Sequence, residues 1–284
     1  MGERIGGNVM KGLVLDGGGV FGIGQAQILS EIDLNKFDFM VGTSIGATNI
    51  GAIAANVNPS DLPDFFHYFM PKIFQKRWFK IHGLYCPLYL DDALNNALKY
   101  LVGDIDMGEI EKPIFITSVH FNTKRLKVFS NKKERDAFWP LWEVIRCSVS
   151  APSYFTPWKG YIDGGVFVNN PSMVAVAAAS RVLNCPLSEI EICSIGTGHF
   201  DNYKDDKKMW SILHWGVWLI NALLDGASSD MSDYFVRYLP IKKYLRIDFK
   251  GDRNWRLDKV KYMYEAENLW HKDIQNAIKV ISEF

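Results

Sequence analysis

Cysteine is scarce in this chain of 284 residues: Cys86, Cys147, Cys185 and Cys193 are scattered, and no two stand at C-x-x-C spacing. That excludes a cysteine-based zinc site and a secreted disulfide framework. Net charge is missing as well. The 32 basic and 32 acidic residues cancel, so the general positive field that draws proteins to nucleic acid is absent, and nucleic acid is not an expected partner. Long hydrophobic runs are lacking too. The longest, MWSILHWGVWLINALL from Met209, covers 16 residues and is broken by Ser211 and His214, short of the roughly 20 a membrane-spanning helix needs. No charged-then-apolar leader precedes Lys11, and no internal repeat, low-complexity tract or Pro/Ser-rich linker divides the chain. One domain over residues 1–284 is therefore expected, in the cytoplasm or peripheral at a membrane, with non-classical export left open. No cluster of metal-ligand spacing is present either, so neither metal nor cofactor is expected.

What is there is a core-forming composition, 48% hydrophobic and 23% charged, arranged as alternating strands and helices. Gly12 to Leu15 is a short apolar run ahead of a glycine cluster, and GIGQAQILSEI then places Ile23, Ala26, Ile28 and Ile32 at helical spacing. FDFMVGTS followed by NIGAIAANV repeats the pattern. Further strands are expected in PIFITSVHF, RLKVFS, GYIDGGVF and EIEICSIGTG, with SMVAVAAASRVL as another small-residue helix. Such alternation predicts an α/β fold with a mainly parallel sheet and helices on both faces. Residues 60–105 have a different texture and read as a cap or lid-like insertion. The region around 205–284 reads as a closing amphipathic helical segment, with Leu257, Val260, Met263, Leu269, Ile274, Ala277, Ile278 and Ile281 as its apolar positions.

The first glycine cluster supports two readings. Gly17-x-Gly19-x-x-Gly22 fits the dinucleotide fingerprint, and Asp38 lies near the offset of a ribose-binding acid. Against this, Asp38 precedes the apolar part of its strand, and Asp16 would set a negative charge beside a pyrophosphate. The second reading takes the same backbone N–H groups as donors to an oxyanion that exists only during a reaction.

Gly42-Thr43-Ser44-Ile45-Gly46 sits where a strand gives way to a helix, the context in which G-x-S-x-G is a nucleophile elbow. Ser44 is then a nucleophile, or alternatively a helix N-cap beside two turn glycines. A serine nucleophile needs a base. His199, after the IGTG turn, has the chain order of a hydrolase triad, yet a loop histidine is the simpler account of it. Asp163 ends a strand and is followed by Gly164 and Gly165, which let another segment approach; a partly buried aspartate bonded to the serine can act as base. A plain Asp-Gly turn is the competing account.

Taken together, DGGGVFG, GTSIG and DGG, with SAPSYFTP before the last and CSIGTG after it, resemble the patatin-like phospholipases over roughly residues 11 to 200. The resemblance implies a three-layer α/β/α sandwich and a Ser-Asp pair that works without histidine. By motif, Ser44 becomes the nucleophile, Asp163 the base, and Gly17, Gly18 and Gly19 the oxyanion donors, with Gly42, Gly46, Gly164 and Gly165 as supporting glycines. It also implies calcium-independent hydrolysis of acyl esters in phospholipids or lysophospholipids at a membrane or micelle surface. One position departs from the pattern: the family's loop usually has Arg or Lys before its last glycine, where this chain has Phe21. That oddity keeps a catalytically silent lipid-binding protein as an alternative beside a nucleotide-binding oxidoreductase. For lipid contact the first candidate is the aromatic and basic stretch from Phe65 to Lys80, whose aromatics could equally be core. The run with Trp210, Trp215 and Trp218 has the same two readings and a third as a homodimer contact.

Overall fold

The computed structural model describes residues 9–76, 86–199, 227–252 and 255–284, with isolated positions between 211 and 223. The strands are β1 (Met10–Leu15), β2 (Phe39–Thr43), β3 (Ile114–His120), β4 (Arg125–Ser130), β5 (Tyr161–Asp163), β6 (Ile190–Ile195) and β7 (Lys243–Ile247). The helices are α1 (Gly22–Leu29), α2 (Ile45–Ala54), α3 (Leu62–Ile73), α4 (Asp91–Val102), α5 (Leu141–Ser148), α6 (Ser172–Arg181), α7 (Ala227–Tyr238) and α8 (Val260–Ser282).

One sheet runs in the order β4-β3-β2-β1-β6-β7, with β5 paired to β3. Its centre is parallel, whereas β4 and β5 run antiparallel to β3. Strands covered on both faces should read as nearly continuous apolar runs, and β2 and β6 are buried at every position. Their side chains alternate between two cores. Leu13, Leu15, Met40, Ile116 and Ile195 face a large core built with α1 to α5 and α8. Val14, Val41, Phe115 and Ile192 face a smaller one under α6, with Val236 of α7. The result is the expected α/β/α sandwich with a central, mostly parallel sheet.

Two features of the closing region differ from the sequence pattern. β7 lies inside the stretch expected to be helical, because Lys243 and Arg246 give KYLRI a mixed pattern that only the open edge of β6 organises into a strand. On α8 the buried stripe is Met263, Ala266, Trp270, Ile274, Ala277 and Ile281, while Leu269 is 55% exposed. Trp270, not Leu269, occupies the inward position. No helix among the described residues is long and apolar enough to cross a membrane.

The chain leaves β1 toward β2 on one side and comes back to add β6 on the other. That reversal makes the carboxyl ends of β1, β2 and β6 a switch point, where open α/β sheets carry their ligand sites.

Candidate active site

Ser44 occupies the turn between β2 and α2 with φ 52° and ψ −120°, a backbone conformation that L residues rarely adopt. The turn is this sharp because two glycines let it collapse. A Cβ on Gly46 would lie 2.3 Å from the Leu15 carbonyl oxygen, and one on Gly42 2.7 Å from the backbone of Gly46 and Ala47. The Ser44 hydroxyl does not cap α2. It donates instead to Asp163 Oδ2 at 2.7 Å, while the Ser44 N–H donates to Ser148 Oγ at 2.8 Å.

Asp163 reaches Ser44 through strand register. β2 pairs with β3 only as far as Thr43 opposite Thr117, and β5 then takes the same edge of β3, with Asp163 opposite Ser118. The antiparallel β5 therefore ends against the point where β2 ends. Gly164 permits the approach, since a Cβ there would sit 2.3 Å from Thr117 Oγ1. The second carboxylate oxygen accepts the Gly165 N–H at 2.7 Å, and the Asp163 N–H donates to the Ser150 carbonyl. Burial pushes the Asp163 carboxyl up to about 7, against the opposing hydrogen bonds from Ser44 and Gly165. A carboxyl held near neutrality is suited to taking and returning a proton.

The glycine loop lies across from Ser44, and its three candidate donors are not equivalent. The Gly17 N–H is committed to the Asn169 carbonyl at 3.0 Å, and the Gly17 carbonyl accepts the Thr197 hydroxyl. Among the described residues the Gly18 and Gly19 amides meet no acceptor, and both glycines line the pocket with Ser44 and Asp163. Gly19 has φ 57°, and a Cβ on it would strike the Leu257 carbonyl at 2.3 Å. The loop is further pinned by Asp16 N–H to Ile195 O and by Val20 N–H to Leu257 O.

Phe21 is fully buried, stacked on Trp255 at 5.5 Å between ring centroids and tilted against Trp270. Its ring anchors the loop to the C-terminal region. A guanidinium does stand behind the loop, supplied by β7: Arg246 pairs with Asp16 and with Asp248, each at 2.7 Å, and donates to Ser194 Oγ. Burial drives the Asp16 carboxyl up to about 7 while Arg246 pulls it down. Removing one partner of a buried pair strands the other. Arg246→Met is accordingly expected to lower stability by about 3 kcal/mol or more in urea unfolding at pH 8; an unchanged midpoint would mean that Asp16 carries no charge.

Several positioning residues carry no local sequence signal. Arg146, fully buried on α5, donates to Asp91 and Asn95 of α4, to Ser150 Oγ and to the Thr156 carbonyl. It thereby fixes the segment whose Ser148 and Ser150 hold Ser44 and Asp163. SAPSYFTP and CSIGTG pointed to these neighbourhoods, but no spacing rule could show that Ser148, Asn169 and Thr197 are backbone clamps. His199 continues the sheet pairing toward Lys250 through its backbone and is not part of the pocket wall. Asp38 accepts the Lys11 N–H at the start of β1, the opposite end of the sheet from the glycine loop, which removes the ribose-binding reading.

The walls of the pocket are largely apolar. Phe65, Met70 and Ile73 of α3 and Leu94 and Leu98 of α4 supply one side, Val149 and Phe155 another. The aromatics of α3 are thus mainly wall and core: Phe65 and Phe66 are buried, while Tyr68 is exposed under the Lys72 ammonium. Arg77 to Lys80 and Trp210 lie outside the described residues. Trp215 and Trp218 are exposed and meet edge to face.

Comparison with known proteins identifies the family. Residues 13–176, more than half of the chain, match the family model described as patatin-like phospholipase. A cGAMP-activated phospholipase from Vibrio cholerae serotype O1 is 24% identical over 232 residues, 67% of this chain and 64% of that protein. Patatin-17 from Solanum cardiophyllum is 25% identical over 286 residues, 81% of this chain and 72% of the relative. The chain therefore spans just under two thirds of the Vibrio protein. The crystal structure of VipD from Legionella pneumophila superposes with a TM-score of 0.50 at 13% identity, covering 96% of this chain and 67% of that one, a likeness of fold. With the family model spanning the glycine loop, the Ser44 turn and Asp163, the chain belongs to the patatin-like phospholipase family.

Proposed function

We propose that the protein is a serine acyl hydrolase of the phospholipase A or lysophospholipase type, using Ser44 and Asp163. The observation that carries this reading is the 2.7 Å contact between the Ser44 hydroxyl and Asp163 in the wall of an apolar pocket. In the cycle it supports, Ser44 Oγ attacks the ester carbonyl and its proton passes to Asp163. The oxyanion accepts the N–H groups of Gly18 and Gly19, each such donor lowering the barrier by about 3 kcal/mol, while Gly17 anchors the loop. Collapse expels the alcohol, which takes the proton from Asp163. Water then attacks the acyl-Ser44 ester and gives its proton to Asp163, which returns it to Ser44 Oγ as the fatty acid leaves. Protein groups fill every role in this cycle, so calcium has no step to serve.

Lipid access fits the outer surface of α7 better than α3. Met231, Tyr234, Phe235 and Tyr238 form an i, i+3, i+4, i+7 stripe that is more than half exposed throughout. Ser229, on the same helix, bonds to Asn169 of the pocket wall. Aromatic side chains of this kind suit the headgroup zone of a membrane.

The reading is tested with a fluorophosphonate probe, which is expected to add to Ser44 as found by peptide mass mapping. Failure to label Ser44 in the folded protein would sink it. A pH profile offers a second check. Asp163 must be ionised to accept a proton, so kcat/KM is expected to rise with pH up to about 7 and level off above it; a rate that falls across that range would assign the base elsewhere.

A further inference from the structure

Among the described residues, no lysine or arginine lines the pocket. An acyl chain suits such walls, but an anionic phosphate diester has to lie outside them. The segment Trp255 to Lys259 runs along this boundary. Trp255 stacks on Phe21, the Leu257 carbonyl accepts the Val20 N–H, and the Leu257 side of the chain lines the pocket. Its position is therefore tied to the glycine loop. Asp258, 1% exposed at its side chain, accepts the Tyr89 hydroxyl at 2.6 Å, Arg256 Nε at 3.1 Å and Lys259 Nζ at 2.9 Å. Arg256 also bonds to Tyr154, itself a lining residue. One buried carboxylate thus orients two cations. The cations remain reachable, with side chains 57% exposed at Arg256 and 30% at Lys259.

We propose that Arg256 and Lys259, oriented by Asp258 beside the pocket, form a subsite for the phosphate of a lipid headgroup whose acyl chain occupies the pocket. The inference rests on the acyl hydrolase reading for the chain's placement, and it assigns the headgroup chemistry that reading leaves open. A guanidinium offers parallel N–H donors to phosphate oxygens and an adjacent ammonium adds a second charge. Because both are already held, little side-chain freedom is lost on binding.

The test is equilibrium binding to the Ser44→Ala protein, so that turnover plays no part. Dihexanoylphosphatidylglycerol is compared with dihexanoylglycerol, and inorganic phosphate is titrated alone. The phosphate-bearing lipid is expected to bind about tenfold more tightly than the neutral one. Arg256→Gln is expected to erase that preference, Arg256→Lys to retain part of it, and Lys272→Gln, an exposed charge change on α8, to leave it intact. Equal weakening of both lipids by Arg256→Gln would make the residue structural and overturn the proposal. Inorganic phosphate binding as tightly as the lipid would overturn the headgroup assignment in favour of a free-anion site. Labelling of Ser44 by fluorophosphonate is a separate readout, so failure of the hydrolase reading and failure of this subsite are told apart.

Discussion

Ser44→Ala is expected to lower ester turnover by roughly four to six orders of magnitude, leaving only what the amides of the glycine loop and the pocket supply. The hydroxyl is the one group at the elbow placed both to attack a carbonyl and to pass its proton to Asp163. Folding does not depend on it, because the Ser44 N–H to Ser148 bond and the collapsed glycines that shape the turn stay in place. Release of labelled fatty acid from phospholipid vesicles, measured beside a thermal melt, separates the two effects. Turnover near the wild-type level in a folded Ser44→Ala protein would remove the nucleophile assignment.

Asp163→Asn is expected to cost about 10³- to 10⁴-fold in kcat and yet to raise stability at alkaline pH. The amide is nearly isosteric and can keep the Gly165 N–H bond, but it cannot accept the serine proton. The stability change follows from linkage. Burial raises the folded carboxyl above its ordinary value of 3.8 to about 7. The folded state therefore holds a proton more firmly than the unfolded chain. Stability from this group is full below pH 3.8 and is lost as pH rises through about 7, where a charged carboxylate is left buried. The melting temperature of Asp163→Asn is expected to exceed wild type by roughly 5 °C at pH 8, with the gap narrowing toward pH 4. His199→Ala, made in parallel, is expected to retain activity within a few-fold, since its ring is outside the pocket wall. A dead His199 variant with an intact fold, or an active Asp163→Asn, would transfer the base role.

Both experiments turn on a meeting of residues that are far apart in the chain. Ser44 and Asp163 are 119 positions apart, and each could be singled out in the sequence through local chemistry: glycines that force a sharp turn, and an Asp-Gly pair at a strand end. Their contact depends on β5 taking the edge of β3 beyond the last residue of β2. Pairing register between distant segments leaves no local mark. The unequal glycines show the same divide. All three of Gly17, Gly18 and Gly19 look alike in DGGG, and it is the Asn169 carbonyl, brought from the far side of β5, that engages the first and leaves the other two facing the pocket.

Phe21 is a further case. Beside the family pattern it reads as a missing cation; in the fold its ring stacks on Trp255, and Arg246 stands behind the loop from the other edge of the sheet. The aromatic stretch from Phe65 could serve a lid or a core by composition alone, and packing places Phe65 in the pocket wall and Phe66 in the core. β7 was hidden because an edge strand with Lys243 and Arg246 has no apolar alternation of its own and exists only where β6 offers unpaired backbone groups.

By itself the sequence determined what short-range physics decides: the alternation of strand and helix, the two glycine turns at strand ends, the serine at the second, and the family that their joint order resembles. The tertiary structure decided which carboxylate meets that serine, which amides remain free beside it, and which cations border the pocket. Those outcomes depend on strand register, burial and long-range hydrogen bonds, energies that arise only when distant segments share a surface.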